Sequence, residues 1–262
     1  MAKLCNLFSS SSGNCTYISS GDDAILIDVG ESCKQITTAL EQHMLDINKI
    51  KGIFITHAHN DHIKGLRVLL KKTHIPVYAS KETLGELILN GVFSADDKYF
   101  DIAERPNLAA DLGVEYFKTS HDVDGSVGYI VTFNNGEKVA VCTDLGYVSD
   151  DVRNSLLGCK TVMIESNHDV GMLQNGPYPF ELKQRILGEK GHLSNISCAK
   201  ELPELVNQGT TNIILAHLSK ENNTPDLARV TSQSVLLENG MVADKDYSLY
   251  VAPVHDGKII YI

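Results

Sequence analysis

Residues 56–65 read THAHNDHIKG, and His57, His59, Asp61 and His62 fall within six positions of one another. Neutral imidazole and carboxylate are the ligands that zinc, manganese and iron accept. The preceding GIFIT is a continuous apolar run, the pattern of a buried strand, so the motif begins where that strand ends. In extended chain, residues i and i+2 point the same way, which lets His57 and His59 grip one ion. The following turn carries Asp61 and His62 round to a second position, just ahead of a helix at Ile63. Polar residues often end strands by coincidence. Four coordinating side chains at this density point instead to metal.

One motif cannot close two metal shells. Three other β-rich runs end in a suitable ligand: EYFKTSH at His121, KVAVCTD at Asp144 and NIILAH at His217. Singly each is weak, because a histidine after a strand is more often a solvated loop residue. Together they supply the three ligands that two sites still need. Asp144 is the natural bridge, since a carboxylate can bind two ions where an imidazole cannot.

The elements that must position these residues can be read from hydrophobic periodicity and turn chemistry. Short β-rich runs come first, KLCNLF, NCTYISS and AILIDVG, with the SSSSG at 9–13 as a loop between strands. An amphipathic helix near 32–45 and the strand KGIFIT lead into the motif. After it the pattern predicts a helix over IKGLRVLLKK, a strand IPVYAS and a helix over KETLGELILNG. The middle is β-rich: GVEYFKTS, then GSVGYIVTF and EKVAVCTD joined by an Asn-Asn-Gly hairpin turn. Helices near 149–157, 179–188, 194–207 and 224–238 then alternate with the strands KTVMIES and TNIILAH. Two β-rich halves with helices outside predict two sheets packed face to face and covered on both sides, an α/β, αββα four-layer sandwich.

The chain has 262 residues, 43% of them hydrophobic, which suits one domain over 1–262. No apolar run reaches the roughly 18 residues of a membrane span. The first residues lack a charged n-region followed by an apolar stretch, so no secretory signal is read. Six scattered cysteines without a CxxC pair fit reduced thiols in a cytoplasm better than a disulfide framework. The formal charge of −10 argues against a polyanionic partner. Bound divalent cations would offset it where a substrate sits. The segment 181–200 also sets Lys183, Arg185, Lys190 and Lys200 against only Glu181 and Glu189.

THAHNDHIKG followed by His121, Asp144 and His217 resembles the metallo-β-lactamase superfamily, and ILIDVG resembles that superfamily's early aspartate motif. The resemblance implies the αββα metallo-β-lactamase fold and a dinuclear site. His57, His59 and His121 would hold one metal; Asp61, His62 and His217 the other; Asp144 would be shared. Asp28 would support the histidine loop without touching metal. The second-site cysteine of common lactamases and the helical C-terminal domain of glyoxalase-II-like thioesterases are not seen. Glu165, ending VMIES, and His192, in GHLSN ahead of a helix capped by Ser194 or Asn195, look like the acid dyad of the phosphodiesterase branch. A carboxylate raises an imidazole pKa and fixes its tautomer, giving a proton donor usable near neutral pH. A structural ion pair for Glu165, or His168 as the acid, are the competing readings.

LFSSSSGNCTYI, TSHD, CTDLGYVSDDV, IESNHD, LKQRILGEKGHLSN and AHLSKENN together are similar to the YycJ/WalJ group of small bacterial proteins. That resemblance implies a metal-dependent DNase, a 5′-to-3′ exonuclease linked to a cell-wall two-component regulatory system and to DNA repair. The expected cofactors are two divalent ions, zinc or manganese, with iron as an option. The expected substrate is DNA, as single strands or 5′ ends, with no membrane partner. Asp61 would help orient the attacking oxygen, and His192 would protonate the departing 3′-oxygen. The serine-glycine loop at 9–14 would line the entrance, or else be an ordinary polar hairpin. Only 73 positions separate Asp144 from His217, too few for the clamp-like domain of RNA-processing relatives. A small-molecule phosphodiesterase, and a regulatory metal-binding protein without turnover, are the alternatives.

Overall fold

Every residue of AILI at 24–27 is buried, yet alternate side chains join different cores: Ala24 and Leu26 one, Ile25 and Ile27 another. The same division repeats in VAVC at 139–142 and in IILA at 213–216. Strands buried on both faces lose the apolar–polar alternation and read as continuous apolar runs. That is why they were conspicuous in the sequence.

The computed structural model describes residues 2–104, 107–109 and 112–262. The first half supplies β1 (Lys3–Phe8), β2 (Cys15–Ser20), β3 (Asp23–Ile27), β4 (Ile50–Phe54), β5 (Val77–Ala79) and β6 (Tyr99–Asp101). The second supplies β7 (Asn107–Ala109), β8 (Leu112–Lys118), β9 (Val127–Phe133), β10 (Lys138–Cys142), β11 (Thr161–Glu165), β12 (Asn212–Ala216) and β13 (Ser248–Val251). Each set lies in one seven-stranded mixed sheet, in chain order, and β14 (Ile259–Tyr261) returns to pair antiparallel with β1. Between the sheets lies a core that includes Leu4, Ile18, Phe54, Tyr129, Met163 and Ile214.

The helices are α1 (Cys33–Gln42), α2 (Asn60–Ile63), α3 (Leu66–Thr73), α4 (Lys81–Leu89), α5 (Asp150–Leu156), α6 (Val170–Asn175), α7 (Phe180–Leu187), α8 (Asn195–Asn207) and α9 (Pro225–Glu238). α1, α3 and α4 bury Ile36, Leu40, Leu69, Leu70 and Leu87 against the outer face of the first sheet. α5, α8 and α9 bury Val152, Leu156, Leu202, Leu205 and Leu236 against the second. The layers are therefore helix, sheet, sheet, helix. α1, α4, α5, α8 and α9 each begin after a Ser or Thr whose side chain accepts a backbone N–H at the third helical position. The cap ahead of α8 is Ser194, with Asn195 its first helical residue.

One predicted helix is broken. IKGLRVLLKK is not continuous, because Gly65 N–H donates to Val29 O at 2.9 Å instead of extending α2. A Cβ on Gly65 would lie 2.1 Å from Glu31 O, so only glycine lets the chain pass there. The three-residue strands β6 and β7 and the six-residue α6 are too brief to show a period in the sequence. The Asn-Asn-Gly turn does join β9 to β10, with Gly136 at φ 83°. All six cysteines are buried and unpaired.

β3, β4 and β5 run parallel, as do β10, β11 and β12, so their C-terminal ends gather along one edge of the sandwich. Open α/β sheets present their ligand sites at such ends. Asp28, His57, Asp144, Glu165 and His217 all stand just there.

Candidate active site

The histidine loop starts three residues after β4. Asp28 fastens it from the end of β3: Oδ1 accepts the Thr56 N–H at 2.9 Å, and Oδ2 meets His62 Nδ1 at 2.8 Å. Engaging Nδ1 leaves His62 Nε2 as the ring nitrogen facing the cleft. His57 Nδ1 meets Thr56 Oγ1 at 3.0 Å, which likewise turns its Nε2 inward. Behind the loop three segments interlock. Asn14 N donates to Asp61 O, Gly30 N to Asn14 O and Val29 N to His62 O, each at 2.8 Å. A Cβ on Gly30 would sit 1.7 Å from Asp61 O. Gly30→Ala must therefore push α2 away, and overpacking of this kind costs about 1–3 kcal/mol or more. The expected result is a lower melting temperature together with weakened metal binding. Unchanged values of both would show that the approach is not tight.

The remaining candidates come from the facing sheet. His57 Nε2 and His59 Nδ1 are 3.1 Å apart, and His121 Nε2 lies 3.3 Å from the same His59 nitrogen. His62 Nε2 and His217 Nε2 each lie 3.5 Å from Asp61 Oδ2, and Asp144 Oδ2 is 3.3 Å from His62 Nε2. Ligand atoms of His57, His59 and His121, and those of Asp61, His62 and His217, form two groups with every member within 4.8 Å of the others. A third such group, His57, His62 and Asp144, joins them. Donor atoms around a four-coordinate ion with bonds of ~2.0–2.1 Å sit roughly 3.3 Å apart. The spacing is that of a ligand shell.

The electrostatics agree. Burial, then the neighbouring His62, holds His57 well below the ordinary histidine pKa, and burial lowers His121 against the pull of Asp144. Neutral imidazole is the form that binds metal. Burial opposes charge on His62 and His217 as well, but Asp28 and Asp144 for the first, and Asp144 and Asp61 for the second, carry both well above the ordinary value. The carboxylates gathered around these two rings are charge that a bound cation would neutralise. Asp144 Oδ2 and His217 Nε2 are buried without a hydrogen-bond partner among the described residues, a costly arrangement that a cation between them relieves. The residues present fit divalent metal.

Asp28, Asp144 and His217 share a backbone peculiarity: φ is 61°, 60° and 56°, in the left-handed region. Non-glycine residues seldom adopt it, and such strain persists where the surroundings impose it. Here it turns Asp144 and His217 from strand ends toward the ligand groups and Asp28 onto the back of His62. Asn167 Nδ2 donates to His217 O at 2.9 Å and Ser9 Oγ accepts the His217 N–H at 2.7 Å, pinning the peptide on both sides.

Glu165 and His192 are brought together. Glu165 Oε1 meets His192 Nδ1 at 2.9 Å, while Oε2 accepts the backbone N–H groups of Leu193 and Leu145 at 2.9 and 3.2 Å. Burial alone would raise the Glu165 carboxyl; the facing His192 and His217 outweigh it and hold it down at about 2. Burial likewise disfavours charge on His192, but Glu165 and then Asp144 keep its pKa raised. The rival, His168, is 1% exposed, and its ring nitrogens have no hydrogen-bond partner among the described residues. Burial lowers it to about 4, so it is neutral at pH 7.

A family model described as the metallo-beta-lactamase superfamily matches residues 10–217. The chain belongs to the metallo-β-lactamase superfamily. It is 38% identical to exodeoxyribonuclease YycJ of Bacillus anthracis over 98% of this chain and 97% of that one. It is 34% identical to exodeoxyribonuclease WalJ of Streptococcus pneumoniae over 93% of this chain and 91% of the other. A crystal structure of the metallo-β-lactamase-fold protein YhfI from Bacillus subtilis superposes with TM-score 0.72, covering 99% and 98% of the two chains at 14% identity.

Three features of this superfamily member escape sequence reasoning. Glu165 Oε1 also meets His217 Nδ1 at 2.6 Å, so one carboxylate serves two histidines. The Asn14 side chain donates to Asp61 O at 3.3 Å and stands 3.1 Å from His62 Nε2. Asp122, next to His121, lies 3.4 Å from His121 Nε2 and accepts from Arg185 Nε at 2.6 Å. Arg185 is thereby tied to the site, although its side chain is exposed. Lys183 is similarly engaged, donating to Gln174 O at 2.9 Å. For Asn14 a signal existed in the SSSSGN loop; for the others no local pattern announces the contact.

Proposed function

We propose that the protein is a metal-dependent phosphodiesterase that degrades DNA as an exonuclease from the 5′ end, acting as one domain over residues 1–262. The observation that carries this reading is the Glu165–His192 pair beside the two ligand groups, since phosphodiester cleavage, unlike lactam hydrolysis, must protonate an alkoxide. The DNA reading draws on the exodeoxyribonuclease relatives, which align over nearly the whole chain. Two divalent ions, zinc or manganese with iron as an option, would be held by His57, His59 and His121 on one side and Asp61, His62 and His217 on the other, with Asp144 between. Bound there, they supply Lewis-acid stabilisation of charge on the phosphoryl oxygens.

The chain's own groups do the rest. Asp61, 22% exposed at its side chain, reaches the cleft and orients the attacking water. The water oxygen bonds to phosphorus and passes a proton to solvent as the P–O3′ bond breaks. His192, its Nδ1 fixed by Glu165, delivers a proton from Nε2 to the departing 3′-oxygen. The products are a 3′-hydroxyl and a 5′-phosphate. Asp28 and Glu165 hold His62 and His217 in the tautomers this arrangement needs. We place the protein in the cytoplasm with a functional link to a two-component regulatory system, on the strength of the family resemblance. No described helix is long and apolar enough to cross a membrane.

The deciding assay uses 5′- and 3′-labelled single- and double-stranded DNA with zinc, manganese or magnesium. Mononucleotides released from the 5′ end, and intact closed circles, are expected. Hydrolysis of bis-p-nitrophenyl phosphate or a cyclic nucleotide with DNA untouched would make the protein a small-molecule phosphodiesterase. No turnover of any diester by the metal-loaded protein would leave a binding role.

A further inference from the structure

Two cavities meet beside His121. The smaller, 170 Å³, lies beneath α7 and has His192 in its wall; the larger, 710 Å³, runs past Tyr147 and Tyr116. His121 and Lys190 line both, so one groove crosses the site. His192 borders only the smaller part.

That smaller cavity is amphipathic. Leu182 and Ile186, four apart on one face of α7, join the Tyr178 ring on one side, and Ser11 and Ser219 stand among its polar lining. Its volume is below the roughly 300 Å³ at which pockets for whole ligands begin, so it takes one ring system and no extended chain. α7 is anchored to the site through its end: His192 N–H donates to Ile186 O at 3.0 Å. None of its residues is fully buried.

We infer that this cavity is a subsite for the 5′-terminal nucleoside, whose 3′-oxygen leaves beside His192. This rests on the DNA reading above. The nucleoside that departs with its 3′-oxygen lies upstream of the scissile phosphate. A cavity of 170 Å³ seats one base, so the terminal nucleotide is the unit this subsite would release. The downstream strand follows the larger cavity, where Tyr147 and Tyr116, 48% and 37% exposed, offer faces on which bases stack.

The test uses the metal-loaded full chain and oligodeoxynucleotides carrying a tetrahydrofuran abasic residue at the 5′-terminal or the 3′-terminal position. The 5′-terminal abasic residue should lower kcat/KM for the first release about tenfold or more, the worth of one stacked base. The 3′-terminal one should leave that step unchanged. Ile186→Trp, which fills the cavity, should lose about as much on ordinary DNA and cease to distinguish an abasic 5′ end. Tyr178→Ala should blunt the same discrimination, and elemental analysis should find both variants fully loaded with metal. Equal rates on abasic and ordinary 5′ ends, or undiminished discrimination in the filled variant, would overturn the subsite. If the wild type releases nothing from any DNA, the DNA reading itself fails; if it degrades DNA but ignores the terminal base, only the subsite does.

Discussion

His192→Ala should lose about 10²–10⁴-fold in the rate of DNA hydrolysis while keeping both metals. On bis-p-nitrophenyl phosphate, whose phenolate leaves without protonation, the loss should be far smaller. The reason is the geometry of one hydrogen bond: Glu165 Oε1 occupies Nδ1 at 2.9 Å, so only Nε2 is available to a substrate. Glu165→Gln should show a mixed effect. It disturbs His192, and it also removes the partner of His217 Nδ1, which is held at 2.6 Å. Losing such an outer partner typically costs about 10–100-fold in metal affinity or activity. Both substrates should therefore suffer in Glu165→Gln, and added metal should rescue part of the loss. His168→Ala should leave the contrast between substrates intact, because that ring is buried and neutral. Equal losses on both substrates in His192→Ala would assign His192 to structure or binding; transfer of the contrast to His168 would give that residue the acid role.

Asp144→Ala should leave at most one tightly bound ion by elemental analysis, with activity falling beyond the roughly 10–100-fold of an outer-partner loss. Asp144 stands between the groups: Oδ2 is 3.3 Å from His62 Nε2, and Oδ1 is 4.0 Å from His121 Nε2. Its carboxylate lies well below the ordinary range because His217 and His62 outweigh its burial, so it is ionised whenever a metal arrives. Alanine at φ 60° is strained, whereas asparagine tolerates that region. Asp144→Asn therefore separates backbone strain from lost charge, and should lose metal with little change in melting temperature. Two full equivalents in either variant would contradict the assignment.

The sequence by itself determined what is local or periodic. His57, His59, Asp61 and His62 lie on one strand end and one helical turn, so their spacing alone places them together. Strands buried on both faces announced two covered sheets, and the cap at Ser194 marked where α8 begins. Tertiary structure alone decided which distant residues share a partner. The parallel register of β11 and β12 sets Glu165 opposite Ala216, which brings its carboxylate to His217, 52 positions away. The close passage of Gly65 by Glu31 broke a helix that periodicity made continuous. Asn14 reached Asp61 across 47 positions because β2 follows its loop into the sheet beside β3. Periodicity reports which face of an element is buried. Register between elements, and the steric fit of one loop against another, are set only when the sheets assemble, and no single stretch of sequence contains them.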